Sequence, residues 1–221
     1  MAKTALVTGA NRGIGLALAR RLKDGGRDVI AVCRKSSREL DALGARVEAD
    51  VDITSDSAVA GLARRLDGVA LDELVCNAGA LHADRLDDVN IDDIRDLMEV
   101  NAFGALRVVK ALHRNVRRGG KIALMTSRMG SIGDNGSGGY YAYRMSKAAL
   151  NAAGMSLARD LTPAGIAVAI LHPGYVRTEM TEGSGNIDPG DAAKQLVERI
   201  DQLTMESTGT FWHANGQILP W

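Results

Sequence analysis

Short apolar runs alternate along the chain with longer segments in which apolar residues recur every three or four positions. Continuous runs are typical of strands buried on both faces of a parallel sheet, and the longer spacing is typical of helices. The predicted strands cover residues 3–8, 29–33, 46–50, 71–76, 121–126, 167–171 and 210–213. Because strands and helices alternate, the pattern predicts an α/β fold, with helices on both faces of a parallel sheet of about seven strands.

One predicted helix contains a residue that does not suit a helix interior. The apolar periodicity predicts a single long helix over residues 92–117, and Asn101 lies inside it. Asparagine is a mediocre helix former, and a buried amide needs hydrogen-bond partners. Asn101 is therefore either a satisfied structural residue or a functional one.

A glycine-rich turn follows the first predicted strand and opens the first predicted helix. Its glycines form a G-x-x-x-G-x-G pattern between strand and helix, an arrangement that lets a phosphate approach the backbone and the helix N-terminus. The alternative interpretation is a tight turn without a ligand. With this turn, the pattern predicts a doubly wound sheet of the Rossmann type in a single domain, residues 1–221. The candidate cofactor-binding residues of the turn are Gly9, Asn11, Arg12, Gly13, Ile14 and Gly15.

The residues after the second predicted strand indicate which dinucleotide is preferred. Sheets of this kind that take NAD usually place a carboxylate here, on the ribose 2′-hydroxyl. This chain has Cys33 followed by Arg34 and Lys35. Arg34, together with Arg12, would attract a 2′-phosphate, which predicts NADP(H) in preference to NAD(H). The alternative is that these cations are only loop charges.

Tyr143 and Lys147 are four positions apart, so they share one face of a helix. A nearby ammonium stabilises a phenolate and lowers the phenol pKa, and a hydroxyl at a strand end, such as Ser127, could hold a substrate oxygen beside the phenol. These three side chains predict a proton-transfer site for a carbonyl or alcohol. Such a spacing also occurs by chance on helix surfaces. Ser131 is the alternative to Ser127.

Ligands of doubly wound sheets bind outside the carboxyl ends of the strands. The predicted strand ends therefore bring several candidate residues to one crevice, and this convergence supports the functional interpretation more than any single motif does. The residues that follow strand ends are Gly9–Gly15, Arg34, Asp52, Asn77, Ser127 and Pro173.

Composition narrows the class of function. Lys plus Arg and Asp plus Glu are 27 each, so the chain is a poor candidate for nucleic-acid binding. A cluster of arginines at 114–118 is interpreted as a solvated helix end. No apolar stretch is long enough for a membrane span, and the scattered histidines predict no metal. Cys33 and Cys76 close apolar runs and indicate a reduced, cytoplasmic protein.

Six motifs in chain order resemble the short-chain dehydrogenase/reductase family, and the resemblance covers essentially the whole chain. Residues 126–139 and the ending 219–221 further resemble the C-factor and sniffer-type carbonyl reductase branch. The motifs are the turn Thr8–Gly15, the triplet Asn77, Ala78 and Gly79, Asn101, Ser127, the pair Tyr143 and Lys147, and Pro173 and Gly174 with Val176 and Thr178.

The resemblance implies a catalytic set. Tyr143 would protonate the carbonyl oxygen, or act as base in the reverse direction. Lys147 would lower the pKa of the Tyr143 phenol and hold the nicotinamide ribose. Ser127 would bind the substrate oxygen, and Asn101 would anchor a water. For the cofactor, the resemblance assigns the 2′-phosphate to Arg12 and Arg34, the adenine to Asp52 and Ile53, the adenine-ribose side to Asn77, Ala78 and Gly79, and the nicotinamide side to Pro173, Gly174, Val176 and Thr178.

The predicted activity is that of an NADP(H)-dependent carbonyl reductase or alcohol dehydrogenase acting on a small molecule. The alternative is a cofactor-binding regulator of the same fold; a dehydratase or epimerase is disfavoured by the short chain and by Arg34. Relatives commonly pair through their long helices, which implies a homodimer or homotetramer. The segment Thr178–Asp188 is too short for a helical lid, so an open, permissive substrate site is expected.

Overall fold

The computed structural model describes residues 2–221 and contains one seven-stranded sheet. The order is β3-β2-β1-β4-β5-β6-β7, and every neighbouring pair is parallel. This confirms the predicted single-domain, doubly wound α/β fold. The strands are β1 Thr4–Thr8, β2 Asp28–Val32, β3 Arg46–Glu48, β4 Leu71–Cys76, β5 Val116–Met125, β6 Ala167–His172 and β7 Phe211–His213.

Helices cover both faces of the sheet. Successive strand residues point to opposite faces, so Leu74 packs toward α3, α5 and α6 while Val75 packs toward α1 and α7. Both faces are therefore apolar, as expected for strands buried on two sides. The α-helices are α1 Gly13–Asp24, α2 Arg38–Asp41, α3 Asp56–Arg65, α4 Ile91–Met98, α5 Gly104–Leu112, α6 Tyr141–Asp160 and α7 Pro189–Gln202.

The expectation of one long helix over residues 92–117 is wrong in two respects. A π-helical turn, Glu99–Phe103, separates α4 from α5, and the Gly104 amide donates to the Glu99 carbonyl five residues earlier. The helical segment ends in a 3₁₀ turn at His113–Asn115, and β5 begins at Val116. The arginines at 117 and 118 thus belong to the exposed start of a strand rather than to a helix end, and their polarity hid this part of the strand from the apolar pattern.

None of the helices within residues 2–221 combines the length and the apolar character that crossing a membrane requires.

Candidate functional site

The predicted site residues lie along the carboxyl edge of the sheet, where doubly wound sheets bind ligands. The glycine turn follows β1, Arg34 follows β2, and Asp52 and Ile53 follow β3. Asn77, Ala78 and Gly79 follow β4, Ser127 follows β5, and Pro173, Gly174, Val176 and Thr178 follow β6. Tyr143 and Lys147 lie on α6, and Asn101 lies in the π-helical turn.

The glycine turn has the geometry that a phosphate cradle requires. Gly9 and Gly13 have positive φ of 67° and 54°, values that side-chain-bearing residues rarely adopt. A Cβ at Gly15 would come within 2.1 Å of the Gly9 carbonyl oxygen. No side chain caps the N-terminus of α1, and its first turn has no acidic residue. Its free amides and dipole thus fit a dinucleotide phosphate.

The Thr8 hydroxyl holds the loop after β4 against this turn. It accepts hydrogen bonds from the backbone amides of Asn77 at 3.0 Å and Ala78 at 3.1 Å. The Asn77 side-chain amide donates back to the Thr8 carbonyl at 3.0 Å. These contacts fix two neighbouring strand ends relative to each other, as a flat ligand spanning both would need.

The two cations expected at a 2′-phosphate have different surroundings. Arg12 forms an exposed ion pair with Glu179, in the segment after β6. The exposed Arg34 side chain has no hydrogen-bond or ion-pair partner among residues 2–221. Hydrogen bonds from the Thr54 backbone and hydroxyl lower the pKa of the Asp52 carboxyl, and the charges of Arg34 and Arg107 add to this effect. Arg34 is therefore the cation that is open to an anion.

Ser127, Tyr143 and Lys147 meet at the start of α6. Burial raises the pKa of the Tyr143 phenol, and a hydrogen bond from the Ser127 hydroxyl lowers it. The Lys147 ammonium lies 5.7 Å from the centre of the Tyr143 ring and donates to the Met125 carbonyl at 2.9 Å. A hydroxyl, a phenol and an ammonium are therefore adjacent, as carbonyl proton transfer requires.

One electrostatic expectation is not met. The spacing of Tyr143 and Lys147 predicts a lowered phenol pKa, but the direction found is upward because burial is the largest cause. Burial also lowers the pKa of the Lys147 ammonium to about 8. Lys147 is buried and Tyr143 is partly buried, and the loss of surrounding water opposes the charged form of each group.

Both the amide oxygen and the amide nitrogen of the Asn101 side chain have hydrogen-bond partners within the protein. Its amide nitrogen donates to the Ala80 carbonyl and to the Ser146 hydroxyl, both at 2.9 Å. Its amide oxygen accepts from the Ala80 amide at 2.8 Å. The side chain therefore joins the loop after β4 to α6. The structural interpretation of Asn101 accounts for all of these bonds.

Ser127 and Ser131 differ in position. Ser127 caps the 3₁₀ turn Arg128–Gly130 by accepting from the Met129 amide, and its hydroxyl reaches Tyr143. The Ser131 hydroxyl accepts from the Asp134 amide and stabilises the glycine loop, residues 130–139. The geometry thus favours Ser127 as the hydroxyl beside the phenol.

The 3₁₀ turn after Ser127 is packed tightly against α6. The Thr126 hydroxyl donates to the Asn151 side chain at 2.7 Å, and Asn151 donates to the Gly130 carbonyl at 3.2 Å. A Cβ at Gly130 would lie 2.7 Å from the carbonyl carbon of Lys147. The spacing between Ser127 and the helix that carries Tyr143 is therefore fixed.

The segment after β6 closes one side of the crevice. It contains a single 3₁₀ turn, Glu179–Thr181, and no helical lid. The Thr178 methyl would lie 3.5 Å from a Cβ at Gly13, so the segment touches the glycine turn. A bridge between Val176 and Ile187 holds its base.

Sequence reasoning missed two residues that help to build this site. Asn151 continues the Tyr143 and Lys147 spacing by one more helical turn, so periodicity could have found it. Asp84 gave no local signal, because its partners lie 57 and 58 positions further along the chain. Within residues 2–221, no group of three or more acidic, histidine or cysteine side chains could hold a metal ion.

Comparison with known proteins identifies relatives of the whole chain. The family model described as short chain dehydrogenase matches residues 3–187. The chain is 42% identical over 224 residues to 1-hydroxy-2-glutathionyl-2-methyl-3-butene dehydrogenase of Rhodococcus sp. (strain AD45), covering 99% of each protein. It is 40% identical over 154 residues to the C-signal of Myxococcus xanthus, covering 68% of this chain and 93% of that protein.

Two solved structures are similar over their full length. A short-chain dehydrogenase/reductase from Burkholderia multivorans with bound NADP has a TM-score of 0.91 and 33% identity, covering 100% of both chains. The carbonyl reductase Sniffer of D. melanogaster has a TM-score of 0.92 and 30% identity, also covering 100% of both chains.

Proposed function

Because the chain belongs to the short-chain dehydrogenase/reductase family, we propose that it is an NADP(H)-dependent carbonyl reductase or alcohol dehydrogenase in which Tyr143 is the general acid and base. The observation that carries this proposal is the junction of three side chains at the carboxyl edge of the sheet. The Ser127 hydroxyl and the Lys147 ammonium lie next to the Tyr143 phenol, beside a glycine turn that fits a dinucleotide phosphate.

Each of the three side chains has a separate role in proton transfer. In the reducing direction, Tyr143 gives its proton to the carbonyl oxygen, which Ser127 holds by a hydrogen bond. Lys147 offsets the negative charge left on the phenolate and holds the nicotinamide ribose. The bound nicotinamide supplies or accepts the hydride. The positive charge of Lys147 is available near neutral pH, since its lowered pKa of about 8 still lies above 7.

The test of this role is removal of one hydroxyl. Tyr143→Phe should lower kcat for carbonyl reduction by about 10²–10⁴-fold, the usual contribution of a positioned acid, and leave the Kd for NADPH unchanged. Ser127→Ala should lower kcat, whereas Ser131→Ala, the matched control, should have a much smaller effect. Full activity in Tyr143→Phe would rule out the proposed chemistry.

NADPH should be preferred over NADH. Arg34 supports this, because it is exposed, has no partner among residues 2–221, and stands where an NAD enzyme carries a carboxylate. The Burkholderia relative binds NADP. A charge-assisted hydrogen bond contributes about 1.5–3 kcal/mol, or about tenfold or more in affinity. The Kd values of both cofactors, measured in the unmutated protein and in Arg34→Asp, test this; equal values in the former would contradict it.

The names of the relatives suggest which substrates to try first. The Rhodococcus relative is named for dehydrogenation of a hydroxy compound that carries a glutathionyl group. The Drosophila structure is that of a carbonyl reductase. A first panel therefore combines simple aldehydes and ketones with glutathione-conjugated alcohols, each in both directions. Turnover of either class would support the proposal.

A cofactor-binding regulator is the second candidate, and the C-signal of Myxococcus xanthus is the observation that favours it. A protein that only binds the dinucleotide needs the glycine turn but not Ser127, Tyr143 and Lys147. The presence of all three supports the enzyme. A regulator would turn over no carbonyl compound, and its biological effect would survive Tyr143→Phe but not the loss of Arg34.

The proposal extends to assembly. Phe103, Leu106 and Met145 are exposed on the helices that frame the site, with 47%, 40% and 50% of their surface accessible. Pairing of two copies through these helices would cover such apolar side chains. We therefore expect a homodimer or homotetramer, which light scattering would detect. We also propose a cytoplasmic location, because Cys33 and Cys76 are both free and buried.

A further inference from the structure

Helix α6, which carries Tyr143 and Lys147, begins without a cap of its own. The three preceding residues, Gly138, Gly139 and Tyr140, have left-handed φ of 63°, 62° and 55°. A residue that caps a helix usually has an extended backbone and a short polar side chain, and Tyr140 has neither. The first amides of α6 therefore depend on a partner from elsewhere in the fold.

Asp84 is that partner. One carboxylate oxygen accepts a hydrogen bond from the Tyr141 amide, and the other accepts from the Ala142 amide at 3.0 Å. Its backbone carbonyl accepts from the Tyr140 amide at 2.8 Å. Only 5% of the Asp84 surface is accessible. Three consecutive amides at the start of α6 are thus held by one buried residue, whose charge also suits the helix dipole.

Asp84 lies at the end of a stretch that begins at Asn77, directly after β4. Asn77 and Ala78 are held by the Thr8 hydroxyl, and Ala80 is held by Asn101. Residues 77–84 are therefore fixed at three points, the last of which is α6 itself. Tyr143 follows the held amides directly, in the first turn of that helix.

We propose that Asp84 is a positioning residue for Tyr143. It sets the place and direction of the first turn of α6, and so the distance between the phenol and Ser127, by accepting the amides of Tyr141 and Ala142. This inference rests on the proposed function, because positioning matters to turnover only if Tyr143 transfers the proton.

A cap that only stabilises the fold would behave differently. Its loss would lower the melting temperature and leave kcat unchanged in the molecules that remain folded. A positioning residue acts on kcat through the group that it places, and misplacement of a reacting group by about 1 Å costs about 100-fold.

The experiment compares Asp84→Ala and Asp84→Asn with Asp87→Ala, an exposed aspartate of the same loop. Asp84→Ala should lower kcat by about 10- to 100-fold and change the Kd for NADPH by less than about twofold. Asp84→Asn, which keeps one acceptor oxygen, should lie between Asp84→Ala and the unmutated protein. Asp87→Ala should leave kcat unchanged.

A double-mutant cycle with Tyr143→Phe isolates the pathway of the effect. If Asp84 acts through the phenol, Asp84→Ala should cause little further loss of kcat once the hydroxyl is gone. An equal loss in both backgrounds, or an unchanged kcat in folded Asp84→Ala, would overturn the inference.

A second readout needs no turnover, so it separates this inference from the proposed function. The ring signals of isotope-labelled tyrosine, assigned with Tyr143→Phe, report the surroundings of the phenol. Asp84→Asn should move the Tyr143 signal and its titration midpoint, and Asp87→Ala should not. If the unmutated protein reduces no carbonyl compound, the proposed function fails; if the Tyr143 signal stays in place, the positioning role fails.

Discussion

Lys147 is an ionisable side chain whose burial costs the folded protein stability. The residue is 4% exposed, and burial lowers the pKa of its ammonium from 10.5 to about 8. Keeping this charge in the folded protein at neutral pH costs about 3 kcal/mol, since each pKa unit corresponds to about 1.4 kcal/mol. The folded-state pKa lies below the unfolded one, so the cost is fully present below about pH 8 and disappears as the pH rises toward 10.5.

Lys147→Met should therefore raise the free energy of unfolding at pH 7 by about 2 kcal/mol, after about 1 kcal/mol is lost with the bond to Met125. Urea unfolding near pH 7 and near pH 10 measures this, and the gain should shrink at the higher pH. Carbonyl reduction and NADPH binding should both be lost. Lys194→Met, at an exposed position of α7, is the matched control. A variant less stable than the unmutated protein at pH 7 would contradict the assignment of this cost.

If Arg12 binds the 2′-phosphate, as proposed, Glu179 competes with that phosphate for Arg12. The two side chains form an ion pair in which both partners are exposed, 62% and 76% respectively, and such pairs contribute only about 0.2–1 kcal/mol. Glu179→Gln should thus lower the Kd for NADPH by about 1.4- to fivefold and leave the Kd for NADH unchanged. Calorimetric titration measures both constants, with Glu182→Gln as the control from the same segment. Equal tightening of NADH would mean that Arg12 does not serve the 2′-phosphate.

Sequence reasoning at the scale of single residues depends on how far apart the partners lie. The Tyr143 and Lys147 pair could be predicted because both residues share one helix face. The caps and partners supplied by Asp84 and Glu179 could not, because nothing in a local window indicates a partner more than 50 positions away. The direction of the Tyr143 pKa was wrong for a related reason, since spacing does not reveal how deeply a phenol is buried.

At the scale of elements, the contact between the turn after β5 and helix α6 sets the geometry of the site. Gly130→Ala would force a methyl group into the backbone of Lys147, which lies 2.7 Å from the position of the added carbon. We expect a loss of about 1–3 kcal/mol in the free energy of unfolding, the usual range for overpacking, and a fall in kcat as Ser127 and Tyr143 move apart. Thermal unfolding and initial rates measure the two effects.

The same loop offers a matched control for this prediction. Gly136 is exposed, and an added carbon there would meet no atom within 4 Å. Gly136→Ala should therefore change neither stability nor kcat. If Gly130→Ala matched this control, the turn would not be as rigid as its contacts indicate.

The strands were predicted better than the long helical segment, for a physical reason. Continuous apolar runs mark buried strands directly, so β4 was predicted with its observed ends, residues 71 and 76. The exposed beginning of β5, at Arg117 and Arg118, carries no apolar run. The π-helical turn could not be seen either, because one additional residue in a helix barely disturbs a periodicity that is read over many positions.

At the scale of the whole molecule, one partly buried histidine should limit stability in acid. His172, at the end of β6, lies 4.9 Å from His213 between ring centres, and its Nδ1 has no hydrogen-bond partner among residues 2–221. Burial, with smaller effects from His213 and Arg128, lowers the pKa of His172 to about 3. The unfolded chain takes up this proton near pH 6.5 and the folded one does not, so stability is lost as the pH falls below that value.

Protonation of His172 in the unfolded chain should by itself lower the free energy of unfolding by about 2 kcal/mol between about pH 7 and about pH 5. His172→Gln should reduce that loss, as measured by urea unfolding at both pH values. His82→Gln, at an exposed position in the loop before α4, should leave the loss unchanged. Identical pH dependence in His172→Gln and the unmutated protein would show that another group causes the acid sensitivity.

The π-helical turn at Glu99–Phe103 has a consequence for how the gene can change. Each residue turns a helix by about 100°, so the loss of a single codon, such as that for Ala102, would rotate α4 against α5 by that angle. Because α4 packs on α6 and α5 packs on the sheet, either Asn101 would leave Ala80 or Val108 would leave the core. A codon-deletion scan should find this turn intolerant, whereas loss of the Gly136 codon from the exposed glycine loop should be accepted. The length of this helix is therefore as constrained as the identity of the residues it carries.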